Sequence, residues 1–152
     1  MQSTASTTFI DEQVYFYPFE VFESAIAVKM SYLVGATAAG NVDLGIYDAQ
    51  ENKLVSTGLT AQGTINTLQE FDITDTLLLP PGVYFMAIKC TDGTGTSFAT
   101  SGIADELWLP HCPMYIQATS SGSALPDPAV FALDTTTTMA IRLMGIHFST
   151  LI

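Results

Sequence analysis

At 152 residues the chain is long enough for one sizeable core and too short for two ordinary domains. Hydrophobic residues make up 48% and charged residues only 12%, the reverse of a disordered chain, so it folds and finishes its surface largely in Thr, Ser, Gln and Asn. Four cations (Lys29, Lys53, Lys89 and Arg142) against fifteen Asp and Glu leave a net charge of −11, which argues against a nucleic-acid surface and against an anionic membrane.

The polar opening, Met1–Thr8, has neither the basic region nor the apolar core of a secretory signal. No stretch approaches the roughly 20 apolar residues of a spanning helix. Synthesis in a cytoplasm is the default, and Cys90 and Cys112 are expected to be reduced rather than bridged. Residues 1–12 read as an N-terminal arm, 13–148 as one domain and 149–152 as an apolar tail.

Within the domain, Val14–Phe22 is aromatic-rich, and Pro18 makes it an edge strand or two short strands meeting at a kink. Ala25–Val34 alternates, with Ile26, Val28, Met30, Tyr32 and Val34 predicted inward and Ala27, Lys29, Ser31 and Leu33 opposite. Gly35–Gly40 is a small-residue turn. Val42, Leu44 and Ile46 then share one side and Asp43, Gly45 and Tyr47 the other, the pattern of a half-buried strand. Ala49–Asn52 supplies turn chemistry, and Lys53–Gly58 starts a partner strand, giving a β-hairpin. A strand from Leu68 to Thr76 runs into the corner Leu77–Gly82, forced by Pro80, Pro81 and Gly82. Val83–Cys90 follows, with Tyr84, Met86, Ile88 and Cys90 on one face. Burial is expected of Leu44, Ile46, Met86 and Ile88.

The second half is less regular. Thr91–Thr96 is a loop, Ser97–Thr100 a short strand, and Ile103–Leu109 a strand or one helical turn. Pro110 and Pro113 bracket a bend, Met114–Ala118 is strand-like, Thr119–Pro128 is a loop, and Met139–Phe148 has the length and composition of a strand. No amphipathic helix of ten residues and no fixed-period repeat are present. About eight to ten short strands separated by turns predict an all-β fold, an antiparallel β-sandwich of jelly-roll-like form.

No catalytic, cofactor or metal constellation stands out. Asp105 and Glu106 are adjacent, and neighbours on a strand face opposite ways, so they make a poor glycosidase pair. Asp48, Glu51 and Asn52 lack the ligand spacing of a calcium loop and read as a hairpin turn. Cys90, His111, Cys112 and His147 do not have zinc-ribbon or zinc-finger spacing, and Cys90 reads as a small buried hydrophobe. No Gly-x-Ser-x-Gly is present, and neither Lys nor a helix follows Gly93-Thr94-Gly95. The chain reads as a non-enzyme. Trp108, the single tryptophan, is a sugar-stacking platform or, as favoured here, a core plug or interface anchor. Phe9 and Ile10 in the arm, with Phe148 at the end of the domain and Leu151 and Ile152 in the tail, are interface candidates because they place apolar side chains near the ends.

Val14-Tyr15-Phe16-Tyr17-Pro18-Phe19-Glu20-Val21 and Gly40-Asn41-Val42-Asp43-Leu44-Gly45-Ile46-Tyr47-Asp48 resemble a β-sandwich module of tailed-bacteriophage virion proteins. Leu79-Pro80-Pro81-Gly82-Val83-Tyr84-Phe85-Met86-Ala87 and Ser123-Ala124-Leu125-Pro126-Asp127-Pro128 fit the same module in the same order. The resemblance spans most of the chain, from Tyr15 to Leu143, but its motifs are structural. It implies a virion location and a capsid decoration or cement protein that binds the outside of the shell. It also implies a homo-oligomer, with a trimer favoured, and the major capsid protein as partner. The alternative it leaves open is a tail or fibre module that recognises a host-surface glycan. The chain has no long upstream region of the kind that attaches such modules to a fibre, so the arm, the tail or the module itself would do the attaching.

Overall fold

The computed structural model describes residues 3–103, 115–117, 123–133 and 139–149. Among them the chain forms thirteen strands and no helix. In order these are β1 (Ser3–Thr8), β2 (Val14–Val21), β3 (Ala25–Leu33), β4 (Asn41–Tyr47), β5 (Lys53–Ser56), β6 (Thr60–Ala61) and β7 (Leu68–Leu79). Then come β8 (Gly82–Cys90), β9 (Thr96–Ile103), β10 (Tyr115–Gln117), β11 (Ala132–Leu133), β12 (Met139–Arg142) and β13 (Met144–Ser149). All pairings are antiparallel, so the fold is the all-β, sandwich-like one expected.

The larger sheet runs β11-β10-β2-β8-β4-β5, with β6 also on β4. Facing it is the sheet β13-β3-β7, and a further sheet β1-β9-β12 joins that one end to end. The joint is made by a bridge between Val34 and Ser97, by Leu33 N–H donating to Leu143 O, and by Leu143 N–H donating to Phe98 O. The main core lies between the layers. Leu44 and Ile46 of β4, Ile88 and Cys90 of β8, Met30 and Tyr32 of β3, and Phe71, Ile73 and Leu79 of β7 meet there. Burying a large apolar side chain contributes about 1.5–3 kcal/mol, so these strands hold the layers together. Met86, expected with them, packs on the rim of this core and stays half-buried.

Several expectations change, beginning with the strand count, which is thirteen among the described residues where about eight to ten were expected. β4 is buried on both faces, not one. Behind it, Tyr47 joins Val14, Phe16, Phe85 and Ala87 in a second core, which Leu125 and Ala129 close with Phe131 against them. The stretch 123–131 is an irregular strap laid over the outer face of the large sheet, and such a cover has no periodicity to read.

In β3 the inward set is Ala27, Met30, Tyr32 and then Val34, not Ile26 and Val28. His147 faces Lys29 while Phe148 faces Ala27, so Val28 is an extra residue in β3 and the alternation changes phase there. Lastly, the stretch Met139–Phe148 is two strands. β12 pairs with β9 and β13 with β3, the chain changing sheets at Leu143.

Pro18 sits inside an unbroken β2, which pairs along its whole length with β8. On its other side β10 covers only Val14–Phe16, so Pro18 falls where that side has no partner strand among the described residues. Ser3–Thr8, within the stretch read as an arm, is a regular strand on β9.

Candidate functional site

Two buried charged anchors fix the surfaces that remain for function. The first ties down the strap. Asp43 of β4 and Lys89 of β8 lie opposite each other, each only 1% exposed. Asp43 Oδ2 accepts the Leu125 N–H at 3.0 Å. Burial pushes the Asp43 carboxyl above the ordinary carboxylate range, opposed by the Leu125 N–H, the Lys53 charge and bonds from Gly58 and Thr57. Burial likewise lowers the Lys89 ammonium, opposed by the carboxylates of Glu12, Asp11 and Asp43.

Around them the strap is bonded to the β4–β5 hairpin. Lys53 Nζ donates to Leu125 O at 3.1 Å and Tyr47 OH to Pro126 O at 2.6 Å. Glu51, at φ 71°, accepts the Ala129 N–H on its carbonyl and the Phe131 N–H on Oε1. The Asp43–Lys89 end opens into a cleft of about 340 Å³ lined by Asp11, Glu12, Lys89, Thr91 and Ser123.

The second anchor is Arg142, 3% exposed at the end of β12. Its guanidinium lies over the rings of Phe9, at 4.0 Å, and Tyr15, at 4.3 Å. It donates to Thr7 O at 3.1 Å, Thr8 O at 2.8 Å and Ser97 Oγ at 2.5 Å. The only arginine of the chain therefore staples the end of β1 to the core. Phe9, an interface candidate on sequence grounds, is one face of this staple and lies in the chain's own core. Nothing in the local sequence connects position 9 with position 142.

With both anchors inside, the outer surface has two notable parts. One is an apolar end, where β2 turns into β3 and β7 into β8. Phe22 is 80% exposed there, with Leu78 at 56%, Val83 at 50% and Phe148 at 45%. Strand register brings them to that end: Leu78 faces Ile26, Val83 faces Glu20, and Phe148 faces Ala27. Glu20 and Glu23, both exposed, stand among them. Phe148 was legible as a candidate. Phe22, Leu78 and Val83 were not, because each continues an apolar run and only the register shows which member faces out. Ile10 is also exposed, beside the Phe9 staple. Trp108, Leu151 and Ile152 lie outside the described residues, as do Asp105, Glu106, His111 and Cys112. The other notable part is the side of β1 away from β9, which no strand pairs among the described residues.

The remaining candidates have local explanations. Asp48 accepts the N–H groups of Gln50 and Asn52 and the Asn52 side-chain amide, so it caps the hairpin turn. Cys90 is buried, and its Sγ lies 3.5 Å from Ala39 O. Burial raises its thiol pKa, which makes it unreactive. His147 Nε2 stands 3.1 Å from Ser31 Oγ and 3.5 Å from Glu70 Oε1. Among the described residues no group of three or more His, Cys, Asp or Glu is placed to hold a metal ion. No protein-family model, curated protein or solved structure matches the chain.

Proposed function

We propose that this chain is a structural protein of a bacteriophage virion, a decoration or cement protein that docks its apolar end on the outside of the capsid. One observation carries the reading: Phe22, Leu78, Val83 and Phe148 are all exposed at one end of the sandwich, Leu78 and Val83 on its two opposite outer faces, in a chain with a net charge of −11. Covering them would yield about 25 cal/mol for each Å² of apolar surface removed from water. Repetition over many equivalent sites would add avidity and let modest contacts reinforce a shell. The resemblance of the strand and turn motifs to phage virion modules supplies the context.

Lys89 and Arg142 are buried, Lys53 is engaged by the strap, and Lys29 lies 3.7 Å from Asp72. The surface around the apolar end is thus acidic and suits a less acidic partner with apolar residues of its own. Copy number in purified virions tests the proposal. Hundreds of copies per particle, reduced by Phe22→Ser, would support decoration. A handful per particle, with tight binding on a glycan array, would support the receptor-binding alternative instead.

A further inference from the structure

We infer that β1 is a self-pairing edge, and that two copies join antiparallel through Ser3–Thr8 about a two-fold axis. Sheet edges attract other strands unless something blocks them. Here the other described edges are blocked, the side of β2 beyond Phe16 by Pro18. β5 carries Lys53 and shifts register against β4. β6 and β11 are two residues each. β7 bears Glu70, Asp72 and Asp75 and breaks register with β3. β13 breaks register at His147 and Phe148, and β12 breaks it between Met139 and Ile141.

β1 has none of these defences from Ser3 to Thr7; only at Thr8 is the carbonyl that faces away from β9 already taken, by Arg142. Its sequence is Ser-Thr-Ala-Ser-Thr-Thr, with no charge, proline or glycine. Its register with β9 is unbroken from Ser3 to Thr8, and among the described residues no strand pairs its other side. Arg142 holds its end rigidly, so little ordering cost remains for a second strand to meet. Charge favours the same place. None of the fifteen carboxylates lies in the strand, so two copies of an acidic chain can approach there with least repulsion. Identical strands pairing antiparallel generate a two-fold, which makes the solution species a dimer and not the trimer expected from the resemblance.

The inference shares with the proposed function only the idea of assembly. A β1 dimer forms without a capsid, so its absence would leave capsid docking untouched. Sedimentation velocity of the full chain over a concentration series at about 0.15 M salt is expected to show monomer and dimer in exchange. Ala5, exposed on β1, is the position to change. Ala5→Asp sets like charges across the axis and is expected to weaken the dimer roughly tenfold while leaving circular dichroism and Tm near those of the parent. Should that variant misfold, hydrogen exchange on the parent decides: amides of Ser3–Thr8 facing away from β9 should lose protection on dilution. A chain that is monomeric throughout would overturn the inference. So would a trimer, or a dimer whose β1 amides exchange alike at all concentrations.

Discussion

Arg142 shows how one side chain can set the stability of a distant strand. It replaces the hydration of a guanidinium by two aromatic faces, two carbonyls and a hydroxyl. Arg142→Ala removes all five contacts and leaves the Thr7 and Thr8 carbonyls without their donor. A loss of about 2–4 kcal/mol is expected in urea unfolding. Limited proteolysis between Thr8 and Gln13 should also become faster, which a uniform loss of stability would not single out. Asp43 makes a different prediction. Its carboxyl pKa is raised in the folded chain, so its contribution to stability is greatest below about pH 4 and declines as pH rises through the raised value. Lys89 and Lys53 face it from β8 and β5, and only part of the burial penalty is offset. Asp43→Asn keeps an oxygen for the Leu125 N–H and removes the titration. Melting temperatures from pH 4 to 8 should therefore show the variant gaining on the parent as pH rises; parallel curves would refute this. Asp48 and Asp92 run the other way. Desolvation is the largest single influence on Asp48 and raises it, but the Asn52 and Gln50 bonds together outweigh it and hold the carboxyl below the usual range, and the Thr94 bonds hold Asp92 there too. Their contributions are present above the ordinary carboxylate pKa and are lost as the solution is acidified.

At the scale of elements, β4 is the central piece because it is packed from both sides. Leu44→Ala and Ile88→Ala, each at a fully buried site in the main core, should cost on the order of 2–5 kcal/mol in chemical unfolding. The opposite face is probed at Gly45. An added Cβ there would come within 2.6 Å of Leu125 Cδ1 and 2.9 Å of Val55 O. Leu125 can swing aside, but a strand carbonyl cannot. Gly45→Ala is thus expected to cost about 1–3 kcal/mol and to loosen the strap. Proteolysis within 123–131 reports the loosening. A variant as stable and as resistant as the parent would show that the strap does not bear on β4. The alternation of Val42, Leu44 and Ile46 was legible in the sequence, as was the hairpin to β5. The cover over Asp43, Gly45 and Tyr47 was not, because a loop lying on a sheet is held by its own carbonyls and N–H groups and by scattered side chains.

For the whole molecule, charge and exposed apolar area decide behaviour together. With a net charge of −11 and its cations buried or engaged, copies repel one another at low ionic strength. Self-association should strengthen between low and moderate salt, and sedimentation can follow it. Separation of copies as salt rises would mean that specific ion pairs hold them. Phe22→Ser at the apolar end should leave Tm within a degree or two, because the ring is exposed and makes few core contacts, while particle occupancy falls. A large drop in Tm would make the end a part of the fold and not a docking surface.

The sequence by itself determined the class of fold. Period-two alternation in β3, β4 and β8, the Pro-Pro-Gly corner after β7 and the lack of any helical pattern are local signals, carried by neighbours in the chain. It also determined the excess of negative charge, which follows from counting. The tertiary structure decided everything that depends on residues distant in sequence. The bulge at Val28 turns Ala27 inward in place of Ile26 and Val28 while Met30 and Tyr32 stay inward, and it is defined only by the strand opposite. The break at Leu143 separates β12 from β13 because two different sheets claim the two halves. Phe9 turned inward because Arg142, from the other end of the chain, lies over its ring. Phe22, Leu78 and Val83 are exposed because register brings the ends of several strands to one place, and no segment read alone contains that register.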